Sequence, residues 1–249
     1  MTVLAVTGDA TTTTCVALAA AWPVDDDDVV VLEADPSGGS LAAWLDTPAT
    51  PTLGTIVASA GTSARLADTV SSMTHHSAAG IRFIAAPVRG IPARRAIDEA
   101  VTTVVPTLAS SPTIVLADVG SATPVGPIVR WASTVVVVHR QTGRSAAAES
   151  VRLERLLERI EQVAVHDADL VVAVIGADPF EPNEIESLVE SNVASRVAAH
   201  VVLADDPLSA AVVCGRTGVS AKRLQRLPLM RSAAAATHRM SLTLQEPVR

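Results

Sequence analysis

Three short segments carry the side chains that could do chemistry in this chain of 249 residues. Residues 7–14 read Thr-Gly-Asp-Ala followed by four threonines, residues 33–40 read Glu-Ala-Asp-Pro-Ser-Gly-Gly-Ser, and residues 118–121 read Asp-Val-Gly-Ser. A turn that opens a helix offers backbone amides to a phosphate, and neighbouring carboxylates can hold Mg²⁺. Together the segments predict a phosphate and Mg²⁺ site, provided that the fold brings them to one edge.

The elements that must position these segments are short apolar runs that alternate with helical stretches. The runs are rich in Val and Ile and apolar on both faces, which is typical of buried parallel strands. The predicted strands are 2–6, 29–33, 81–85, 113–117, 134–138, 170–175 and 200–203. The predicted helices are 12–21, 63–75, 93–108, 145–163, 182–190, 207–214 and 221–240.

This alternation predicts an α/β fold with a doubly wound, mostly parallel sheet of about seven strands and helices on both faces. Each of the three chemical segments follows a predicted strand. Because ligands bind beyond the carboxyl ends of the strands in such a sheet, we expect all three segments at the same edge.

The composition fits a single domain over residues 1–249. Hydrophobic residues make up 49% and charged residues 18%, which is enough apolar surface to build a core. Aromatic residues are only 2%, which argues against a nucleic-acid reader that stacks bases on aromatic rings. The stretch 232–249 is expected to be either part of a final helix or a flexible C-terminal tail.

Cysteine and histidine usage points to an intracellular protein without a structural metal. Cys15 and Cys214 are too far apart for a metal cluster and too few for a disulfide framework. His75 and His76 fall at the end of a predicted helix, where adjacent side chains diverge by about 100°. The N-terminus lacks a signal-peptide pattern and no apolar run reaches the ~20 residues of a membrane span, so we expect a cytoplasmic protein.

The order of the segments resembles the MinD/ParA family of P-loop ATPases of the SIMIBI class. Residues 33–39 are similar to the family's second-strand motif, residues 116–120 to its Walker B strand, and residues 205–208 and 227–231 to later family segments. The resemblance implies ATP and Mg²⁺ as ligands. It also implies that Asp35 senses nucleotide and orients the attacking water, as a catalytic residue, and that Thr12, Asp35 and Asp118 hold Mg²⁺.

The first segment departs from the family's Walker A pattern, Lys-Gly-Gly-x-Gly-Lys-Thr-Thr. Aligned on residues 6–13, Val6 and Thr11 stand at the two lysines, and Thr7 and Ala10 at two of the three glycines. The family's nucleotide-binding positions then fall on Gly8, Asp9, Ala10, Thr11, Thr12 and Thr13.

This departure weakens phosphate binding. Losing a charge-assisted contact to phosphate costs about 1.5–3 kcal/mol. Asp9 adds a negative charge where phosphates would lie, and the only lysine of the chain is Lys222. A substitute cation could come from Arg140 or Arg144, which follow a predicted strand. Gly176 stands where many family members have an Asn that reads adenine, so base recognition is also in doubt.

Plainer interpretations of the same residues stay open. Threonines 11–14 could simply start a helix, with their hydroxyls capping free amides. Asp35 and Asp118 could be structural acids that cap loops.

The sequence therefore predicts a degenerate Walker A loop and a pseudo-ATPase that binds no cofactor, or ATP and Mg²⁺ only weakly. Such a protein would act as an interaction module in cell division, chromosome positioning or the assembly of polar or envelope machinery. One alternative is an active ATP-dependent switch that uses Thr12, Asp35 and Asp118 with a substitute for the lysine. Another is a nonspecific DNA-binding partition protein that uses basic residues such as Arg223 and Arg226.

Protein partners are expected on one of two surfaces. One is the helix 145–163, whose charges are interpreted as a solvated face. The other is the C-terminal region, because seven of the 19 basic residues but only one of the 26 acidic residues follow Val213. The resemblance also implies a homodimer, although Val6 lacks the lysine that reaches across that dimer. Membrane contact through 232–249 is not expected, because this segment has neither Phe nor Trp.

Overall fold

A computed structural model describes residues 2–23, 29–60, 65–122, 125–143, 145–193, 197–215 and 221–245. The strands are β1 (Thr2–Gly8), β2 (Val29–Glu33), β3 (His75–His76), β4 (Arg82–Ile84), β5 (Ile114–Gly120), β6 (Thr134–Arg140), β7 (Asp169–Ile175) and β8 (Val197–Leu203). The helices are α1 (Thr11–Ala21), α2 (Leu41–Trp44), α3 (Leu53–Ala60), α4 (Leu66–Ser72), α5 (Gly90–Ala100), α6 (Val104–Ala109), α7 (Ala146–Val163), α8 (Pro182–Val193), α9 (Pro207–Val213), α10 (Ala221–Leu224) and α11 (Pro228–Gln245). A short 3₁₀ helix, Pro127–Trp131, precedes β6.

The strands form one sheet in the order β3-β4-β2-β5-β1-β6-β7-β8. All described pairings are parallel except that between β3 and β4. Each of the seven predicted runs overlaps one of these strands, which confirms the doubly wound sheet. The order reverses on either side of β1, so the loop after β1 lies at the point where such folds open a crevice.

The eighth strand, β3, corrects the prediction that residues 63–75 form one helix. The described helix there is α4, which ends at Ser72, and residues 63 and 64 lie outside the described ranges. His75 stacks on Phe83 of β4 with ring centroids 5.0 Å apart, and its Nε2 lies 2.6 Å from the carbonyl oxygen of Pro51. Because adjacent strand residues point to opposite faces, His75 is buried and His76 is exposed.

Helices cover both faces of the sheet, and each face has its own apolar core. Helices α3 to α8 and the 3₁₀ helix pack on one face. Helices α1, α2, α9 and α11 pack on the other. The core is built mostly from Ala, Val, Leu and Ile, as the near absence of aromatic residues requires. None of the described helices has the length and apolar character needed to cross a bilayer.

Two predicted helices are interrupted. The segment 93–108 divides into α5 and α6, because the hydroxyls of Thr102 and Thr103 donate to the Glu99 carbonyl and close the first helix. Pro106 is tolerated because it lies in the first turn of α6. The segment 221–240 divides into α10 and α11, and α11 begins at Pro228, a residue suited to a first helical position.

Residues 232–245 continue α11 and do not form the flexible tail that the sequence left open. The apolar stripe of α11 is buried against α1 and β8. Its buried members are Leu229, Met230, Ala233, Ala236 and Met240. The hydroxyl of Thr237 also donates to the carbonyl of Ala21 at 3.1 Å, which ties α11 to the end of α1. Residues 246–249 lie outside the described ranges.

Candidate functional site

The loop between β1 and α1 lies at the carboxyl edge of the sheet, as predicted. Gly8 has φ +116°, and a Cβ there would lie 2.1 Å from the Val138 carbonyl oxygen, so only glycine fits. Ala10 is also left-handed, at φ 49°, without the freedom of glycine. The amide of Asp9 donates to Val138 O at 2.9 Å. The loop is therefore fastened to β6.

The four threonines do not cap the helix that they begin. The N-cap of α1 is Ala10, and no side chain accepts a hydrogen bond from the first turn. Thr14 donates its hydroxyl back to the Ala10 carbonyl at 3.0 Å, and Thr12 donates to Asp118 at 2.6 Å. Thr11 is nearly buried, and its hydroxyl lowers the pKa of Asp118. The capping interpretation is therefore wrong, and Thr11 and Thr12 hydrogen-bond to the Asp118 carboxylate instead.

Asp118, near the end of β5, is an almost fully buried acid of the site. Its side chain accepts from the Thr12 hydroxyl and, at 3.2 Å, from the Gly120 amide. Burial raises its pKa above the usual 3.8, and the negative charge of Asp35 adds to that effect, while the hydrogen bonds oppose it. A positive ion at this position would relieve both unfavourable effects.

Asp35 follows β2, the strand next to β5, and its carboxylate interacts electrostatically with Asp118. One of its oxygens accepts from the amide of Ser37 at 2.8 Å and from the Ser37 hydroxyl at 2.5 Å, which closes a tight turn. The carboxyl group lies directly over Gly120, where a Cβ would be 2.4 Å from Asp35 Cγ. The structure thus brings Thr12, Asp35 and Asp118 to one edge, as the strand order requires.

Glu33 belongs to the same sequence segment, but its role is structural. Its Oε1 accepts from the amides of Ser40 at 2.6 Å and Leu41 at 2.7 Å, and its Oε2 accepts from that of Ala86 at 2.8 Å. Burial raises its pKa, and the three amides partly offset this. The buried carboxyl group therefore joins the start of α2 to the loop after β4.

The arginines that reach the loop come from α7, which the sequence treated as a solvated face. Arg152 Nη2 lies 2.6 Å from Asp9 Oδ2. Arg159 donates to the Thr7 hydroxyl at 3.0 Å and to the Ser121 carbonyl at 2.9 Å. The spacing of seven residues places both on one face of the helix, which is a signal that the sequence did contain.

The arginines that the sequence offered as substitutes do not fill that position. Arg140 forms an ion pair with Asp205, with 2.9 Å between Nη2 and Oδ1. Its backbone amide, and not its side chain, donates to Asp9 at 3.1 Å. Arg144 lies outside the described residues.

Arg152 also connects Asp9 to two buried titratable residues, Glu149 and His139. Arg152 Nε lies 3.4 Å from Glu149 Oε1, and the same oxygen lies 2.8 Å from His139 Nε2 in a contact without hydrogen-bond alignment. Glu149 is fully buried and His139 almost so. Burial lowers the pKa of His139, although Glu149 works against this. Arg152 is thus shared between Asp9 in the loop and Glu149 in the core.

Two pockets flank the loop. A polar pocket of about 160 Å³ lies on the α7 side and is lined by Gly8, Asp9, Val138, His139, Arg152, Arg155, Leu156 and Arg159. A mostly apolar pocket of about 250 Å³ lies on the α9 side. Its lining includes Ala10, Thr13, Thr14, Trp44, Arg140, Ile175, Leu203, Asp205, Pro207 and Ala210.

The end of β7 offers no free amide side chain to a base. Gly176 has φ +87° and carries no side chain. The nearby Gln141 is buried, and its amide nitrogen donates to the carbonyls of Gly176 and Phe180 at 3.2 and 2.8 Å. Its oxygen accepts from the Phe180 amide at 3.0 Å. All polar atoms of this side chain are therefore committed to the protein itself.

No protein-family model and no curated protein matches the sequence. Solved structures do match. A ParA family ATPase from Chlorobium tepidum TLS aligns with TM-score 0.67 and 13% identity over 95% of this chain and 97% of that chain. Apo McdA from Cyanothece aligns with TM-score 0.59 and 11% identity over 96% of this chain and 99% of that chain. The MinC:MinD cell division protein complex of Aquifex aeolicus aligns with TM-score 0.59 and 12% identity over 100% of this chain and 98% of that chain. The chain therefore has the fold of the ParA/MinD P-loop ATPases.

Proposed function

We propose that this chain is a pseudo-ATPase with a ParA/MinD fold, which acts as a protein-interaction module in the spatial organisation of the cell. The similar structures are named for cell division and for ParA-type ATPases, which supports a role in division or positioning. The loss of hydrolysis is argued from the loop of this chain.

The observation that carries the proposal is the charge of the loop. In active P-loop enzymes a lysine lies on the β- and γ-phosphates. Here a nearly buried threonine, Thr11, stands at the corresponding position. Thr11 contacts the Asp118 carboxylate, which Asp35 also influences electrostatically. Asp9 lies in the same loop, and Arg152 already pairs with Asp9 and Glu149. An incoming triphosphate would meet more negative than positive charge, so binding and catalysis both lose electrostatic stabilisation.

The partner surface proposed for this module is the outer face of α7. Val151 is 57% exposed, one of seven large apolar side chains that are exposed among the described residues. It is accompanied by the exposed charges of Glu154, Arg155 and Glu158. An apolar centre with a charged rim is the usual composition of a transient protein interface. A second copy of the chain and an unrelated protein are both compatible with this surface.

The test is a calorimetric titration of the full chain with MgATP, run beside a phosphate-release assay. We expect no binding below about 1 mM, where ΔG is near −4 kcal/mol, and no turnover above the buffer. A micromolar dissociation constant with turnover that disappears in Asp35→Ala would overturn the proposal. Thr69→Ala, in α4, controls for general effects of substitution on the preparation.

An active switch ATPase is the second candidate, and Arg159 is the observation that favours it. Its guanidinium bridges the end of β1 and the loop after β5 through neutral acceptors only, Thr7 and Ser121. Its positive charge is therefore not cancelled by a bonded carboxylate among the described residues. This candidate predicts measurable MgATP binding that is lost in Arg159→Ala and kept in Arg95→Ala, which alters an exposed arginine of α5. The pseudo-ATPase predicts no binding in any of the three proteins.

A further inference from the structure

A group of three potential metal ligands lies far along the sheet from the loop after β1. Glu186 and Glu190 are four residues apart on α8, so their side chains share one face of the helix. His200 lies on β8, the edge strand against which α8 packs. One ligand atom from each residue lies within 4.8 Å of the other two.

His200 has buried ring nitrogens that lack hydrogen-bond partners in the described part of the chain. Both ring nitrogens are shielded from solvent, and neither has a hydrogen-bond partner among the described residues. Burial lowers the pKa of His200, and the two glutamates oppose this without reversing it. The imidazole therefore offers a nitrogen without a protein partner, among the residues that the structure describes, beside two carboxylates. Buried polar groups without partners are rare in folded proteins, and one explanation for them is an ion at the site.

We propose that Glu186, Glu190 and His200 bind a divalent transition-metal ion that bridges helix α8 and the edge strand β8. Neither salt bridges nor side-chain hydrogen bonds occupy the two glutamates among the described residues. Their charges are therefore available to an ion. Glu190 is exposed, which leaves a path from solvent and room for water as a further ligand.

The donor set decides which ions fit. A neutral imidazole nitrogen with carboxylate oxygens suits Zn²⁺ and related ions, whereas Mg²⁺ and Ca²⁺ prefer oxygen ligands alone. With Zn–N and Zn–O bonds of about 2.0–2.2 Å, the ligand atoms of a tetrahedral ion stand about 3.4 Å apart. Small rotations of two glutamate side chains would bring a group within 4.8 Å to that spacing. The ion would fasten the edge of the sheet that lies farthest from β3.

The experiment is equilibrium dialysis of the full chain against Zn²⁺ at neutral pH, with a thermal melt of the same samples. We expect one Zn²⁺ per chain with micromolar affinity and a higher Tm when it is bound. Glu190→Gln, at an exposed position, and His200→Gln should each weaken binding at least about tenfold, because even loss of a residue behind the ligands costs about 10–100-fold. Excess Mg²⁺ should not compete.

His238→Ala is the matched control, since His238 is exposed on α11 and stands outside the group. It should bind Zn²⁺ like the unaltered chain. Binding that Glu190→Gln and His200→Gln leave unchanged, or no binding at micromolar Zn²⁺, would overturn the proposal. If His200→Gln fails to fold, Glu190→Gln together with Glu186→Gln decides the result. The charges removed are on the surface of α8, and a folded double variant that still holds Zn²⁺ would also count against the site.

Discussion

Arg152 Nη2 lies 2.6 Å from Asp9 Oδ2, so an arginine of helix α7 forms an ion pair with the acid of the loop after β1. The same guanidinium group donates to the Arg140 carbonyl at 2.7 Å and contacts the buried Glu149. One side chain therefore connects the loop, the end of β6 and the core beneath α7.

Replacing this arginine should destabilise the fold. We expect Arg152→Ala to lower the free energy of unfolding by about 1–3 kcal/mol, since it leaves the fully buried Glu149 without a cation and removes donors from two further acceptors. Urea denaturation at neutral pH measures the effect. Arg155→Ala, three residues along and exposed, should change it by less than about 0.5 kcal/mol.

A double-mutant cycle isolates the ion pair itself. Combining Asp9→Asn with Arg152→Ala should give a coupling energy of about 0.5–3 kcal/mol, as is usual for residues in direct contact. A value near zero would show that Arg152 acts through its contacts with Glu149 and the Arg140 carbonyl and not through Asp9.

The free energy of unfolding should depend on pH through Asp118. Because the pKa of Asp118 is raised in the folded protein, the folded state binds more protons than the unfolded state between pH 3.8 and the raised value. Stability from this residue therefore falls as the pH rises through that window. Asp118→Asn removes the titration, so its stability relative to the unaltered chain should increase with pH. Denaturation curves at several pH values test this, and parallel pH profiles would contradict it.

Gly39 should not tolerate any side chain. A Cβ at this position would lie 2.3 Å from the Ala86 carbonyl oxygen and 2.7 Å from Glu33 Oε2, inside the contact that fastens α2. We expect Gly39→Ala to cost about 3 kcal/mol of folding free energy. In Gly54→Ala the nearest atom is Pro87 Cγ at 3.4 Å, and the site is helical. That control should be neutral or slightly stabilising in a thermal melt.

Restoring the charge of the loop should restore affinity for nucleotide. We expect Ala10→Gly with Thr11→Lys to strengthen MgATP binding by about 1.5–3 kcal/mol, because a lysine there can reach the phosphates. Adding Asp9→Asn should strengthen it further. Thr13→Lys adds the same charge two residues away and serves as the comparison in calorimetry. If the Thr11→Lys and Thr13→Lys variants bind MgATP equally well, a lysine at position 11 has no specific effect and the prediction is wrong.

Much of the fold could be predicted from the sequence, because a buried parallel strand is recognised from its own residues. The seven apolar runs overlap seven of the strands, and the strand ends place Thr12, Asp35 and Asp118 at one edge. The two-residue strand His75–His76 could not be recognised this way, since His75 is held by Phe83 and Pro51 from other parts of the chain. Helix ends were missed where a threonine hydroxyl or a proline decides them.

The sequence by itself determined the sheet, the edge at which Thr12, Asp35 and Asp118 meet and the absence of lysine from the loop after β1, because these follow from local hydrophobic pattern and residue identity. Only the tertiary structure decided which arginines contact this loop. Arg152 and Asp9 are 143 residues apart, and Arg159 and Thr7 are 152 apart. These contacts depend on how α7 packs against the sheet. The approach of His200 to Glu186 and Glu190 depends in the same way on how α8 packs against β8. Local sequence fixes the elements, but packing between distant elements sets the electrostatics of the site.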